Sequence, residues 1–213
     1  MVLSNEEEAR AWLLTLPHVS RETLERLDQF ATLLRSANQQ QNLIAASTAG
    51  EQLWVRHFAD SAQLLSLAGD LPPQSRWIDL GSGPGLPGLV IALMRPDWSV
   101  RLVESRRLRC DFLRACIEAL VLPAVEVIEG RVEQVARQGH DVISARAFAP
   151  LPKLLSVSRH LAQKNTLWLL PKGRNAVNEL SSIASAWQSL FHVEPSLTDA
   201  DARILVGRGT VDR

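Results

Sequence analysis

Trp77-Ile78-Asp79-Leu80-Gly81-Ser82-Gly83-Pro84-Gly85-Leu86-Pro87-Gly88 runs from a short apolar strand through four glycines into the apolar helical run Leu89-Val90-Ile91-Ala92-Leu93-Met94. A strand that ends in alternating glycines turns sharply and lets a ligand approach, because no Cβ blocks the way and positive φ carries no penalty. The spacing departs from the dinucleotide fingerprint G-x-G-x-x-G, which requires glycine where Leu86 stands. Asp79, two residues before Gly81, and Glu104, at the end of the next apolar strand, place carboxylates at successive strand ends, suited to amino and ribose hydroxyl groups. This is the pattern of an S-adenosylmethionine site, with Asp79, Gly81, Gly83 and Glu104 as candidate contacts. The bland alternative is a strand-to-helix connection without a ligand; the acidic residue on the following strand weighs against it.

Outward from this loop the chain divides in two. From Arg76 onward, strands read at 76–80, 99–103, 124–128, 140–144 and 166–170, alternating with helices near 86–94, 105–120, 150–162 and 175–189. Such alternation predicts an α/β fold, a doubly wound, mostly parallel sheet with helices on both faces. Phe191-His192-Val193-Glu194 and Ala202-Arg203-Ile204-Leu205-Val206, separated by a polar turn, read as a final antiparallel pair. Before Arg76 the pattern is helical. Ser4 and Glu7 have capping-box spacing ahead of Ala9, Trp12, Leu13 and Leu16, and Pro17 ends that run. Ser20 caps a second helix with the stripe Leu24, Leu27, Ala31 and Leu34, ending in the polar stretch 38–42. A third begins at Glu51, with Arg56, His57 and Asp60 close together on its surface, and Pro72-Pro73 closes it. The expected organisation is an N-terminal helical extension, 1–75, and an α/β domain, 76–213.

With 213 residues and an apolar fraction of 46%, the chain buries a sizeable core. It has no run of eighteen apolar residues, and its first residues are acidic where a signal peptide would be basic and then apolar, so the expected location is the cytoplasm. Cys110 and Cys116 lie six apart on one predicted helix, which suits packing rather than a metal site or a disulfide. The net charge is zero but uneven: residues 1–75 carry 5 basic and 9 acidic side chains, net −4, and residues 76–213 carry 18 and 14, net +4. That asymmetry fits an RNA-facing patch and equally a solvated surface.

In doubly wound sheets, ligands sit outside the carboxyl ends of the strands where strand order reverses. The residues falling there are the glycine loop, Glu104, Gly130-Arg131-Val132-Glu133, Ser144-Ala145-Arg146-Ala147-Phe148 and Pro171-Lys172-Gly173. Asp79 to Gly88, Arg131-Val132-Glu133, Arg146-Ala147-Phe148 and Lys172-Gly173, with Asn42-Leu43, Val55-Arg56-His57 and Asp60-Ser61, resemble the bacterial RsmG (GidB) methyltransferases, and the resemblance covers most of the chain. It implies a Rossmann-like class I S-adenosylmethionine-dependent methyltransferase that methylates N7 of a guanine in 16S ribosomal RNA. It also implies that Gly81, Leu86, Val132, Glu133 and Arg146 contact the cofactor. The chain departs from the family pattern where Ala145 separates Ser144 from Arg146, since many members run Ser-Arg directly, and where Ile44 follows Asn42-Leu43, since a threonine is frequent there.

Methyl transfer from a sulfonium needs a nucleophile aligned behind the methyl carbon. Pyrimidine C5 methylation would need a cysteine, and both cysteines lie away from the strand ends. Methylation of an exocyclic amine goes with Asn/Asp-Pro-Pro-Tyr/Phe after the fourth strand, where this chain reads Ser144-Ala145-Arg146-Ala147-Phe148. Guanine N7 has a free lone pair in the neutral base, so no catalytic base is expected. RNA contacts are expected from Arg107, Arg109, Arg131 and Lys172, with Arg106 and Arg174 nearby and Arg56 and His57 as lesser candidates, and Phe148 is the aromatic best placed to stack on the base, a packing role being the equal alternative. The expected partner is 16S RNA or a small-subunit particle, met by a monomer away from membranes. Two readings from other classes stay open: a non-catalytic cofactor-binding module and a small-molecule methyltransferase.

Overall fold

The computed structural model describes residues 2–210; Met1 and residues 211–213, the outermost ends of the two expected segments, lie outside the described residues. Its elements are α1 (Glu6–Leu13), α2 (Arg21–Gln41), α3 (Ala46–Ala49), a π-helical turn (Trp54–Ala59), α4 (Asp60–Ala68), β1 (Arg76–Leu80), α5 (Gly88–Met94), β2 (Ser99–Glu104), α6 (Arg107–Ala119), β3 (Val125–Glu129), β4 (His140–Ser144), α7 (Leu151–Ser158), β5 (Ala162–Lys172), α8 (Ala176–Ser181), α9 (Ser185–Gln188), β6 (Phe191–Pro195) and β7 (Arg203–Arg208). The seven strands form one sheet in the order β3-β2-β1-β4-β5-β7-β6. The first five pair in parallel, and β7 runs antiparallel to both β5 and β6. The chain leaves β1 to one side for β2 and β3 and returns on the other side with β4, so the switch point lies between the ends of β1 and β4.

Strand side chains alternate between two apolar layers, as the two-residue period of a strand requires. Trp77, Val100, Leu102, Val142, Leu167, Leu169, Ile204 and Val206 face one layer; Ile78, Leu80, Val103, Ile143, Trp168, Leu170 and Leu205 face the other. The first layer is closed by α5, α6 and the N-terminal helices, whose Leu13, Leu27, Phe30, Leu34 and Phe58 join the same buried cluster as Trp77 and Val100. Phe30 of α2 stacks on Phe58 of the π turn, ring centroids 5.5 Å apart, and Trp77 stacks on Trp98 at 5.9 Å. The second layer is closed by α7, α8 and Trp187 of α9.

Several local expectations shift. The first helix is capped by Asn5, whose side chain accepts from Glu8 N at 2.9 Å, one residue later than the Ser4–Glu7 pairing expected; Ser4 instead donates to the Glu8 carboxylate. Ser20 does cap α2, closed at its far end by Asn42 in the left-handed region, φ 46°. The helix expected from Glu51 is interrupted by the π turn, and the helix expected over 175–189 is two short helices. The strand expected at 166–170 is the middle of an eleven-residue strand, because β7 pairs with it as far as Lys172. No helix among the described residues is long and apolar enough to cross a membrane.

Candidate active site

The glycine loop leaves β1 at the switch point and enters α5. Gly81 and Gly83 take φ of +67° and +55°, the left-handed region that costs an L side chain about 1–2 kcal/mol. A Cβ on Gly81 would lie 2.5 Å from the ring of Phe148, whereas one on Gly83 would meet only the Arg109 guanidinium and Gly81 O, both beyond 3.5 Å. Gly81 is therefore a close approach between two loops, whereas a Cβ at Gly83 would make only ordinary contacts. Gly88 is tight as well: a Cβ there would strike Leu102 and crowd the Asp79 carboxylate.

Asp79 is fully buried. Its Oδ1 accepts from Ser144 Oγ at 2.7 Å and its Oδ2 from Gly88 N at 3.3 Å, so it pins the loop to the end of β4 and the start of α5. Ser144 Oγ in turn accepts from Trp77 Nε1 at 2.8 Å. Burial pushes the Asp79 carboxyl up to about 6, against the opposing pull of the Ser144, Ser82 and Gly88 hydrogen bonds. The sequence reading placed this carboxylate on a ligand; in the fold it is wholly buried, with each oxygen accepting from the protein.

Glu104, also buried, is the carboxylate beside the loop. Its Oε1 accepts from Ser105 N at 2.7 Å and Arg106 N at 2.8 Å, and its Oε2 accepts from Gly83 N at 3.0 Å. A carboxylate offers about four lone-pair sites, so Oε2 retains capacity for a further donor beside Gly83. Arg109 Nη1 lies 3.7 Å from that oxygen. Leu86 and Val132 are buried below the loop and after β3, and Glu133 is exposed, its carboxylate 3.6 Å from Lys153 Nζ.

Arg146 comes from the other side of the switch point. Ser144 is the last residue of β4, Ala145 is buried, and Arg146 turns back over the N-terminal helices. Its Nη1 donates to Arg56 O at 3.2 Å and Asp60 Oδ2 at 3.1 Å, and its Nη2 lies 3.2 Å from His57 Nδ1. Asp60 Oδ1 accepts from Thr198 Oγ1 at 2.8 Å, and Arg56 Nη1 donates to Asp199 at 2.8 Å. Arg56, His57 and Asp60 are thus close together, as expected, but against Arg146 and the β6–β7 connection rather than on an open helix surface. Burial and the two arginines hold the His57 imidazole down to about 3. Sequence reasoning missed Thr48, Thr198 and Asp199, since nothing in their local pattern marks them as partners.

Beyond Arg146 opens a cavity of about 760 Å³, walled by Arg56, Asp60, Phe148, Lys172, Asp199 and Arg203 among others. Ala147, at φ +50°, turns the chain so that Phe148 lies between this cavity and Gly81. Lys172 was expected to meet RNA, but its ammonium is nearly buried and donates to Ala149 O and the Glu179 carboxylate, both at 2.8 Å. Arg107 and Arg131 are freely exposed on the rim of the loop, whereas Arg109 leans over Glu104. Cys110 and Cys116 are free and buried in α6, away from the cavity.

The arrangement of strands, helices and crevice matches known solved structures in fold. A variant of MtNAS in complex with S-adenosylmethionine superposes with a TM-score of 0.60 at 18% identity, covering 97% of this chain and 84% of that one. The precorrin-6y C5,15-methyltransferase of Geobacter metallireducens gives 0.52 at 11% identity, covering 78% and 93%. In sequence, the chain is 51% identical over 210 residues to the ribosomal RNA small subunit methyltransferase G of Sphingopyxis alaskensis, covering 99% of this chain and 89% of that protein. It is 48% identical over 208 residues to the protein of the same name from Novosphingobium aromaticivorans, covering 98% and 90%. Residues 23–204 match the sequence model of the GidB family, rRNA small subunit methyltransferase G. From the glycine loop through Arg146 to the last strand, the chain belongs to the rRNA small subunit methyltransferase G family.

Proposed function

We propose that the protein transfers the methyl group of S-adenosylmethionine to N7 of one guanine in 16S ribosomal RNA. The observation that carries this reading is the juxtaposition at the switch point: a glycine loop with its strand-end carboxylate on one side, and the cavity on the other, separated only by Arg146 and Phe148. The loop would take the cofactor at Gly83, where an added Cβ would make only ordinary contacts, beside Glu104. Gly81, Gly83, Leu86, Val132, Glu133 and Arg146 would line that site, with Glu104 accepting from a ribose hydroxyl. Asp79 would hold the loop rather than touch the ligand.

When bound, the cofactor supplies an electrophilic methyl on a sulfonium. The chain's contribution is placement: the loop fixes one reactant, the cavity takes the base, and Phe148 offers its ring at the boundary. N7 carries its own lone pair, so no group has to remove a proton, and the one imidazole at the site, His57, is held neutral by its surroundings. The exposed Arg107 and Arg131 would meet RNA phosphates, and Lys172 would serve as a cavity wall. Zero net charge fits a protein that relies on this local basic rim rather than on an overall positive field. We place the enzyme in the cytoplasm as a monomer acting on 16S RNA or a small-subunit particle.

The test is methyl transfer from tritiated S-adenosylmethionine to RNA of a strain lacking the gene, with free 16S RNA and small-subunit particles compared, followed by mass-spectrometric mapping. One N7-methylated guanine is expected. Cofactor binding without transfer would support a non-catalytic module, and transfer to small molecules alone would replace the RNA reading.

A further inference from the structure

The π turn carries a set of groups whose arrangement the methyl-transfer reading leaves unexplained. Arg56 O, His57 Nδ1 and the Asp60 carboxylate converge on Arg146, although they lie 86 to 90 residues from it in sequence. A guanidinium only donates, so a ring nitrogen 3.2 Å from it must present a lone pair. The other ring nitrogen, Nε2, lies 2.8 Å from Thr48 Oγ1, and that hydroxyl donates to Ala45 O at 3.0 Å. The hydroxyl proton being used, Thr48 accepts and Nε2 donates. His57 therefore has one permitted state: neutral, protonated at Nε2, with its Nδ1 lone pair on Arg146. A second proton would set N–H against N–H and place a cation between Arg56 and Arg146.

We propose that His57 is a positioning residue: held as a neutral Nε2–H tautomer by Thr48, it fixes the Arg146 guanidinium in one orientation and leaves its remaining donors for the cofactor. Nη1 is taken by Arg56 O and Asp60, and one Nη2 hydrogen by His57; Nε and the second Nη2 hydrogen have no partner among the described residues. Without the Nδ1 acceptor the guanidinium could rotate about its contact with Asp60 and withdraw those donors. The N-terminal segment thereby sets the orientation of Arg146 as well as covering one face of the sheet. This rests on the reading of Arg146 as a cofactor contact.

The dissociation constant for S-adenosylmethionine, measured by calorimetry with the melting temperature as control, separates the two ideas. Arg146→Ala and His57→Ala should each weaken binding about tenfold or more, the scale of one hydrogen bond to a charged group, and the double variant should be no weaker than Arg146→Ala. His57→Asn keeps an acceptor at the δ position and should recover most of the affinity. His57→Gln reaches toward Thr48 with nothing at that position and should not. The Asn/Gln pair decides the matter if His57→Ala fails to fold. Imidazole nitrogen shifts should report a neutral Nε2–H ring from pH 8 to pH 5, despite Asp60 nearby, because Arg56 and Arg146 face the ring. An unchanged affinity in Arg146→Ala overturns the cofactor reading and the positioning role together. Loss in Arg146→Ala with wild-type affinity in His57→Ala overturns the positioning role alone, as would Asn and Gln variants that behave alike or a ring that titrates near its ordinary value.

Discussion

The two sides of the switch point are built by opposite means. On the cofactor-loop side, the loop's own backbone contacts are short in sequence, Asp79 reaching Gly88 nine residues on and Gly83 reaching Glu104 twenty-one residues on, with Asp79–Ser144 the long-range tie. On the cavity side, Arg146 is held by residues 86 to 90 positions earlier, and Arg56 is held by Asp199, 143 positions later. The loop side is rigid because its backbone has no room for alternatives; the cavity side is specific because several distant segments must arrive together. A change on the first side should therefore be felt as lost stability, and a change on the second as lost orientation.

The largest expected effect tests the rigidity. Gly88→Val drives a side chain into Leu102 and the Asp79 carboxylate, and should cost about 3 kcal/mol of folding stability, the upper range for overpacking a core. A urea midpoint equal to wild type would show the loop to be as adaptable as the cavity.

The two sides should also respond oppositely to acid. Asp79 protonates at about 6 in the folded chain against an ordinary 3.8, so the folded state holds its proton more tightly. Its stabilising contribution is complete below pH 3.8 and is lost as pH rises through 6. His57 is held down to about 3 from an ordinary 6.5, so its contribution is present above 6.5 and is lost as pH falls toward 3. Each slope approaches about 1.4 kcal/mol per pH unit within its window, and between pH 4 and 6 they offset one another. Chemical denaturation across that range should show Asp79→Asn losing stability in acid faster than wild type and His57→Asn gaining it. Parallel curves for both variants would remove the contrast.

Glu104→Ala should weaken S-adenosylmethionine by about 1.5–3 kcal/mol, and part of the loss would come from releasing Gly83 N, Ser105 N and Arg106 N. Calorimetry that finds no change would move the ribose hydroxyls away from this strand end. The smallest effect on the fold belongs to the rim. Arg107→Ala with Arg131→Ala should lower the slope of log RNA affinity against log salt by about two units while cofactor affinity holds. Arg109, 3.7 Å from the Glu104 carboxylate, should disturb both when replaced, so pairing it with Arg107 would blur the distinction.

The contrast also explains what could be read in advance. Four glycines after an apolar strand announce a loop that only glycine backbones permit, and the alternation of strand and helix patterns yields a doubly wound sheet with an antiparallel end. These features depend on backbone conformation and on periods of two and 3.6 residues, which contiguous residues encode. The partners of charged side chains are a different matter. Asp79 looked like a ligand contact and is buried on Ser144 and Gly88; Lys172 looked like a phosphate contact and is taken by Glu179; His57 looked like a surface residue and sits on Arg146. A buried charge or polar group must find a partner, but which one it finds depends on segments that only the closed sheet brings within reach. The sequence by itself determined where the loop and the strand ends lie. The tertiary structure decided which of the side chains gathered there remain free to meet a ligand.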